Sequence, residues 1–242
     1  MGTNAITNQV ALVTGANRGI GKAIVQALLA KGAGKVYATA RKPEEIDTSD
    51  SRVVPLALDL SSADSVSAAA AEAQDVEIVI NNGGVLKVCS PLDAEAFENF
   101  IFETDINVLG LMRVAQHFAP ILKDNGGGAL VQLNSVASLK AFGSFATYSA
   151  SKAASYSITQ SLEQVLKDQG TQVVSVHPGP INTDMADSAG LPDGEPPSVV
   201  ADAIIDALVH GRFHAFPDAM ARQVGEAYQP FAENVIEAEL QG

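Results

Sequence analysis

The chain has 242 residues, of which 47% are hydrophobic and 18% are charged, so it is neither disordered nor a coiled coil and has the length for one α/β domain. Its formal net charge of -13 argues against nucleic-acid or anionic-membrane partners, which would be repelled. The single cysteine, Cys89, excludes an internal disulfide and disfavours a structural zinc site, so we expect no metal. No apolar run approaches the length of a membrane span and the first residues lack a secretory signal, which predicts a cytoplasmic protein.

The first predicted elements are a strand, a tight turn and a helix. Residues 10–13 form a short apolar run, and apolar residues recur at helical spacing over residues 20–28. Gly15, Gly19 and Gly21 lie between them, where glycine permits positive φ and leaves free amides at the helix N-terminus to meet an anion such as a pyrophosphate. The G-x-x-x-G-x-G spacing differs from the usual dinucleotide fingerprint, so by itself it predicts only a phosphate-binding turn. Glycines that serve only the turn and close helix packing are the alternative.

The remainder of the chain alternates between predicted strands and helices. The predicted helix at residues 94–123 is longer than an ordinary helix, so we expect a break near residues 104–107. Pro230 can interrupt the last helix. The alternation predicts a single-domain, doubly wound (Rossmann) parallel sheet of about seven strands over residues 1–242, with helices on both faces and a binding crevice at the carboxyl ends of the strands. Residues 185–242 are expected to form a substrate loop and a C-terminal helical region. After the first helix, the predicted strands are residues 35–40, 53–58, 76–80, 129–133, 172–176 and 212–216, and the predicted helices are residues 62–73, 94–123, 147–169, 198–210 and 218–240.

The end of the second predicted strand favours NADP(H) over NAD(H). An acid about 20 residues past the glycines would accept hydrogen bonds from the ribose of NAD, whereas an arginine suits a 2′-phosphate. This region reads Tyr37-Ala38-Thr39-Ala40-Arg41-Lys42 and contains no acid, and Arg18 in the glycine turn adds a second guanidinium that can pair with a phosphate. Solvated surface charges at Arg41 and Lys42 are the alternative.

A tyrosine and a lysine on one predicted helix can act together as an acid or base. Tyr148 and Lys152 are four residues apart, so their side chains lie on one helix face. A positive charge about 4 Å from the phenol is worth on the order of 4 kcal/mol at an effective dielectric constant of about 20, which predicts a lowered Tyr148 pKa. Ser135 ends the fifth strand at the predicted crevice, although it can also be a turn residue. Asn107 lies at the predicted helix break, where it can hold a water, fill the opened backbone or be a simple polar residue.

Further motifs stand in a fixed order between residue 10 and about residue 185. They are Thr14-Gly15-Ala16-Asn17-Arg18-Gly19-Ile20-Gly21, Asp59, Asn81-Asn82-Gly83-Gly84, Asn107, Ser135, Tyr148-x-x-x-Lys152 and Pro178-Gly179-Pro180-Ile181-Asn182-Thr183. In order and spacing they resemble the short-chain dehydrogenase/reductase family, in its compact, carbonyl-reductase-like branch.

The resemblance implies a catalytic set of four residues. Tyr148 is expected to donate a proton to a carbonyl group, and Ser135 to hydrogen-bond the carbonyl oxygen. Lys152 is expected to hold the nicotinamide ribose and to lower the Tyr148 pKa, while Asn107 anchors a water that links Lys152 to solvent.

The resemblance also implies where a nicotinamide cofactor binds. Asp59 is expected to contact the adenine, Asn82 and Gly83 the adenosine ribose, and Ile181 and Thr183 the nicotinamide carboxamide. The whole expected cofactor-binding set is Gly15, Asn17, Arg18, Gly19, Ile20, Gly21, Arg41, Asp59, Leu60, Asn82, Gly83, Tyr148, Lys152, Pro178, Gly179, Ile181 and Thr183.

These residues predict an NADPH-dependent, reversible reduction of a ketone or aldehyde to an alcohol, with a small-molecule carbonyl or alcohol as the substrate. Ala137, Phe142 and Met185 are expected to line an apolar substrate pocket. A reductase of 3-oxoacyl groups on a carrier is the alternative enzyme, although an acidic carrier would avoid so acidic a protein. A dinucleotide-sensing protein without catalysis is the alternative of another class.

Two features depart from the family pattern. Gly83 stands where the family usually has alanine, which is expected to loosen its loop. The segment His214-Ala215-Phe216-Pro217-Asp218 replaces the apolar strand and Asp-Gly-Gly turn with which many tetrameric members end. The oligomeric state therefore stays open between a homodimer and a homotetramer, and the long apolar helices at residues 94–123 and 147–169 suit a homodimer.

Overall fold

Seven parallel strands form the centre of the protein. The computed structural model describes residues 6–191 and 193–238. The strands are β1 (Val10–Thr14), β2 (Lys35–Ala40), β3 (Val53–Ala57), β4 (Ile78–Asn81), β5 (Ala129–Leu133), β6 (Gln172–Val176) and β7 (His214–Ala215). Their order is β3-β2-β1-β4-β5-β6-β7, and every neighbouring pair is parallel. The predicted doubly wound sheet of about seven strands is confirmed.

Helices cover both faces of the sheet. On one face, α1 (Gly19–Ala30) and α7 (Ser198–His210) pack together over Val13 of β1. On the other face, α2 (Ala63–Glu72), α4 (Gly110–Asp124) and α5 (Ala146–Leu166) pack over Leu12, because successive side chains of a strand point to opposite faces. Burial on both faces explains why the strands are continuous apolar runs. Further helices are α3 (Ala96–Thr104), α6 (Asp184–Ser188) and α8 (Ala219–Phe231). Among the described residues, no helix is long and apolar enough to cross a membrane.

The predicted break within residues 94–123 is a widened helical turn. Helix α3 passes through a π-helical turn, Asp105–Leu109, directly into α4. Arg113 stabilises this turn, since its Nη1 donates to the Asp105 carbonyl at 3.1 Å and its Nη2 to the Asp105 carboxylate at 2.7 Å. Asn107 is buried inside the turn, which is the kind of helical irregularity that often marks a functional site.

The C-terminal part of the sheet is shorter than predicted and is preceded by an unexpected helix. Helix α6 begins after Thr183, whose Oγ1 accepts a hydrogen bond from the Ala186 N–H at 3.3 Å. Of the predicted strand at residues 212–216, only two residues pair with β6, as β7.

Pro230 does not end the last helix. Helix α8 runs past it and widens into a second π-helical turn, Ala232–Ile236. Within this segment, Asn234 Nδ2 donates to the Pro230 carbonyl at 2.7 Å. The predicted helix end at residue 240 lies outside the described residues.

Candidate active site

A cavity of about 900 Å³ opens at the carboxyl ends of the strands. Nearly all residues that the sequence assigns to the site line this cavity, from Gly15 at one end to Met185 at the other. Two do not line it: Gly21 packs beneath the glycine turn, and Asn107 lies buried behind the loop that follows β4.

The glycine turn between β1 and α1 presents free amides to the cavity. Gly15 and Gly19 have φ angles of +64° and +53°, a region that favours glycine. A Cβ atom at Gly21 would lie 2.1 Å from the Gly15 carbonyl oxygen, so only glycine permits this packing. Helix α1 begins at Gly19 with no side-chain cap on its first N–H groups and no acid in its first turn. These donors, at the positive end of the helix dipole, fit the pyrophosphate of a dinucleotide.

Cationic and polar side chains on the outer rim of the cavity are paired with acids. Arg18 Nη1 lies 2.9 Å from Asp184 Oδ2, and Asn17 Nδ2 donates to Glu45 Oε2 at 2.9 Å. Lys42 Nζ lies 3.6 Å from Glu45 Oε1. The sequence analysis missed Glu45 and Asp184, because no local motif links them to the glycine turn that they contact.

Asp59 lies in the cavity wall, where adenine contact was predicted. Burial raises its pKa, but hydrogen bonds from Ser61 and the charges of Arg41 and Arg113 outweigh that effect, so the Asp59 pKa is lowered. The carboxylate therefore stays ionised and can accept hydrogen bonds from a ligand.

Gly83 lies in a tightly packed loop. Its N–H donates to Thr14 Oγ1 at 2.9 Å, and Asn82 Nδ2 donates to the Thr14 carbonyl at 2.9 Å and to the Gly15 carbonyl at 3.2 Å. A Cβ atom at Gly83 would lie 2.7 Å from Leu60 Cδ1. Leu60 thus fills the space that an alanine methyl group would take, and the expected loosening of the loop stays a prediction.

Tyr148, Lys152 and Ser135 meet at the inner end of the cavity. Lys152 Nζ donates to the Leu133 carbonyl at 2.7 Å and lies 5.9 Å from the centre of the Tyr148 ring. Ser135 follows β5, and its Oγ donates to the Pro178 carbonyl at 3.3 Å. The parallel sheet brings these residues together because β5 and β6 end at the same edge.

Burial determines the protonation of both titratable groups. It raises the pKa of Tyr148 to about 12, an effect that the Ser135 hydroxyl opposes and the charge of Glu103 reinforces. Burial also lowers the pKa of Lys152 to about 8. The predicted lowering of the Tyr148 pKa is therefore not observed, since the loss of hydration is the largest influence on it and raises it. At neutral pH the Tyr148 phenol keeps its proton and is available as a donor.

Asn107 ties the loop after β4 to the widened helical turn. Its Oδ1 accepts from the Val85 N–H at 2.9 Å, and its Nδ2 donates to the Val85 carbonyl at 2.9 Å and to Ser151 Oγ at 3.0 Å. The water that the resemblance implies between Asn107 and Lys152 stays a prediction.

The apolar part of the cavity contains residues that lie far apart in the sequence. Ala137, Phe142 and Met185 lie in its wall, where the sequence analysis placed the substrate. Leu86 and Met220 lie there too and were missed, because neither belongs to a recognisable motif.

Asp218 connects the tail to the site. The side chain is buried and caps α8, with Oδ1 accepting from the Ala221 N–H at 2.9 Å, while Oδ2 accepts from the Gly179 N–H at 2.6 Å. A Cβ atom at Gly179 would lie 2.6 Å from Asp218 Oδ1, so this contact requires glycine.

A doubly wound parallel sheet with a glycine turn after its first strand and a crevice at the carboxyl ends of its strands is the architecture of α/β dinucleotide-binding proteins, and here Tyr148 and Lys152 lie in that crevice. A sequence model described as short chain dehydrogenase matches residues 9–193, and the chain belongs to this family. It is 32% identical over 216 residues to an uncharacterized oxidoreductase of Staphylococcus aureus (strain USA300), covering 84% of this chain and 92% of that protein. A similar oxidoreductase of Staphylococcus epidermidis is 30% identical over 213 residues, covering 85% and 91%.

Solved structures share the fold. The crystal structure of a short chain dehydrogenase from Burkholderia cenocepacia J2315, in complex with NADP, superposes with a TM-score of 0.87 and 34% identity, covering 96% of this chain and 99% of the other.

Proposed function

We propose that this protein catalyses the NADPH-dependent reduction of a ketone or aldehyde to an alcohol, and the reverse oxidation. The observation that carries the proposal is the half-buried, protonated phenol of Tyr148, beside Ser135, at the inner end of a cavity whose outer part is a glycine turn with uncapped helix N–H groups. The NADP bound to the Burkholderia cenocepacia relative supports the choice of cofactor class.

Each polar group of the inner site has one task in this reduction. NADPH, when bound, supplies the hydride to the carbonyl carbon. As negative charge develops on the carbonyl oxygen, the Tyr148 hydroxyl transfers its proton to that oxygen, and the Ser135 hydroxyl hydrogen-bonds the same atom and fixes its position. The ammonium of Lys152 stabilises the phenolate that remains on Tyr148, an interaction strengthened by the burial of the ammonium group.

The rim of the cavity supports NADPH over NADH. Arg18, Arg41 and Lys42 all line it, and the acid expected at the end of β2 for an NAD enzyme is absent from the sequence there. Glu45 stands among these cations, so the preference depends on the balance between their charges and that of the acid.

Substitution of Tyr148 tests the proposed chemistry. The loss of NADPH absorbance is followed with a panel of aliphatic, aryl, steroid and sugar carbonyls. Tyr148→Phe is expected to lower kcat roughly 100- to 10,000-fold, the contribution of a positioned proton donor, while NADPH still binds. Tyr228→Phe, which removes a phenol outside the cavity, is the matched control. Equal rates in the Tyr148→Phe and unsubstituted proteins would refute the assignment.

Substitution of Arg41 tests the cofactor preference separately. Arg41→Ala is expected to weaken NADPH binding roughly tenfold or more and to leave NADH binding nearly unchanged, because only NADPH carries the 2′-phosphate. Fluorescence titration of both dinucleotides measures this. Equal weakening of the two would show that Arg41 does not contact the phosphate.

We further propose that the protein associates with a second copy through α3. Phe97 and Ile101, four residues apart and so on one face of α3, are 84% and 69% exposed, and exposed apolar patches of this kind mark interaction surfaces. Sedimentation of the full chain is expected to show a homodimer or homotetramer. A monomer at assay concentration would contradict this proposal.

A further inference from the structure

Glu103, near the end of α3, is a buried carboxylic acid that the proposed reaction does not use. It is 0% exposed, which is rare for glutamate unless it has a partner. Its Oε1 accepts from the Lys87 N–H at 2.7 Å, and the Thr147 hydroxyl is the second polar group that acts on the same carboxyl group. Burial of a carboxylate with so few polar partners costs folding free energy, which points to a task for Glu103 in the site.

The hydrogen bond to Lys87 is one of two that fasten the same loop. Asn107 lies one helical turn after Glu103, and its Oδ1 accepts from the Val85 N–H at 2.9 Å. Glu103 Oε1 accepts from the Lys87 N–H at 2.7 Å. Leu86, which lies between Val85 and Lys87, lines the cavity. We call residues 85–89 the pocket wall.

The other end of the pocket wall is fastened to the segment that leads into the catalytic helix. The Cys89 N–H donates to the Ser144 carbonyl at 2.8 Å, and the Ala146 N–H donates to the Cys89 carbonyl at 3.0 Å. Helix α5 begins at Ala146, two residues before Tyr148. Movement of the pocket wall would therefore shift both Leu86 and the start of α5.

The charge of Glu103 also acts on the proton donor. Burial raises the pKa of Glu103, while the Thr147 hydroxyl, the Lys87 N–H and the Lys87 ammonium oppose that rise. On the neighbouring helix, the ionised form of Glu103 reinforces the raised pKa of Tyr148. The charged and titratable groups that act on Glu103 or respond to its charge are thus Lys87 on the pocket wall and Tyr148 on α5.

We infer that Glu103 is a positioning residue for the proposed reduction, which holds the pocket wall at Lys87 so that Leu86 shapes the substrate site, and which places a negative charge behind Tyr148. The inference rests on the proposed function for its kinetic consequences. Its structural part, the fastening of residues 85–89, does not depend on turnover.

Cys89 provides a probe of the pocket wall that needs no substrate. It is the single cysteine of the chain and is only 2% exposed, so a thiol reagent labels it when the wall opens. Glu103→Ala removes the hydrogen bond to Lys87 and is expected to accelerate labelling roughly ten- to a hundredfold. Glu103→Gln keeps an acceptor for that N–H and is expected to label within about threefold of the unsubstituted protein. The exposed Glu98→Gln, on the same helix, is the matched control for loss of charge.

Spectroscopy and kinetics then separate the two tasks. Glu103→Gln is expected to move the ionisation of Tyr148, followed by the phenolate absorbance as a function of pH, to lower pH by roughly half a unit to one unit, because removal of a like charge makes the phenol easier to ionise. Its KM for the carbonyl substrate should stay unchanged, whereas Glu103→Ala should raise that KM. If the pH profile of Glu103→Gln coincides with that of Glu98→Gln, the charge of Glu103 does not act on Tyr148, and this part of the inference is overturned.

The thiol measurement also decides the inference on its own. Labelling of Glu103→Ala at the unsubstituted rate, or labelling of Glu103→Gln as fast as Glu103→Ala, overturns the fastening of the pocket wall. Denaturant unfolding of each variant identifies general destabilisation, and if Glu103→Ala does not fold, the comparison of Glu103→Gln with Glu98→Gln still decides the electrostatic task. Failure of the unsubstituted protein to reduce any carbonyl would overturn the proposed function and leave the thiol result standing.

Discussion

Replacing Lys152 with methionine removes a buried ammonium group while keeping an unbranched side chain. Lys152 is 4% exposed, and its Nζ has the Leu133 carbonyl as acceptor at 2.7 Å. Burial lowers its pKa from the ordinary 10.5 to about 8. The folded protein therefore holds this proton less tightly than the unfolded chain does.

The sign and size of the effect follow from the two pKa values. Between about pH 8 and pH 10.5, the unfolded chain binds the Lys152 proton and the folded protein has released it, so stability rises with pH. Below about pH 8 both states are protonated, and the folded state carries the full penalty of about 3 kcal/mol, since each pKa unit is worth about 1.4 kcal/mol. Roughly 2 kcal/mol of this penalty should be relieved by about pH 9.5.

Denaturant unfolding of the unsubstituted protein and of Lys152→Met, each at pH 7 and at about pH 9.5, measures this effect. The free energy of unfolding of the unsubstituted protein, taken relative to the variant, is expected to increase by roughly 2 kcal/mol at the higher pH. Contributions that do not depend on pH, such as the lost hydrogen bond, cancel in the comparison. The exposed Lys123→Met is the control for loss of one ammonium group. A difference between protein and variant that is the same at both pH values would refute the reasoning.

Two further substitutions test the outer part of the site. Gly83→Ala should lower the free energy of unfolding by about 1–3 kcal/mol, because the added methyl group meets Leu60 Cδ1 at 2.7 Å; Leu60→Val in the same chain should restore part of the loss, and strictly additive effects would speak against this contact. Glu45→Gln should tighten NADPH binding roughly three- to tenfold with little change for NADH, because it removes a negative charge beside Asn17 on the cavity rim. Titration of both dinucleotides measures this, with the exposed Glu44→Gln as control, and equal tightening of both would contradict it.

The fold could be predicted from the sequence because its signals are local. A strand buried on both faces, such as β5, is a continuous apolar run, and the glycines after β1 mark a turn that few other residues permit. The length of residues 94–123 indicated an irregular helix near Asn107. The π-helical form of the turn could not be predicted, since it depends on Arg113 reaching back to Asp105.

The candidate site was predictable only where family motifs carry it. Tyr148 and Lys152 share a helix face, so their proximity follows from spacing. Their pKa values do not, because burial depends on packing around the whole crevice. Glu45 and Glu103 lie outside every motif, and their contacts with Asn17 and with the N–H of Lys87 become visible only in three dimensions.

The two-way contact of Asp218 has a consequence for protein engineering. Its carboxylate both caps the start of α8 and accepts a hydrogen bond from the Gly179 N–H, and Gly179 lines the cavity. A C-terminal segment from a relative that lacks this aspartate therefore cannot replace the segment of this protein without loss of the contact with Gly179. A chimera should be joined outside residues 179–218, so that Gly179 and Asp218 come from the same parent; a junction between them risks both the start of α8 and the shape of the site.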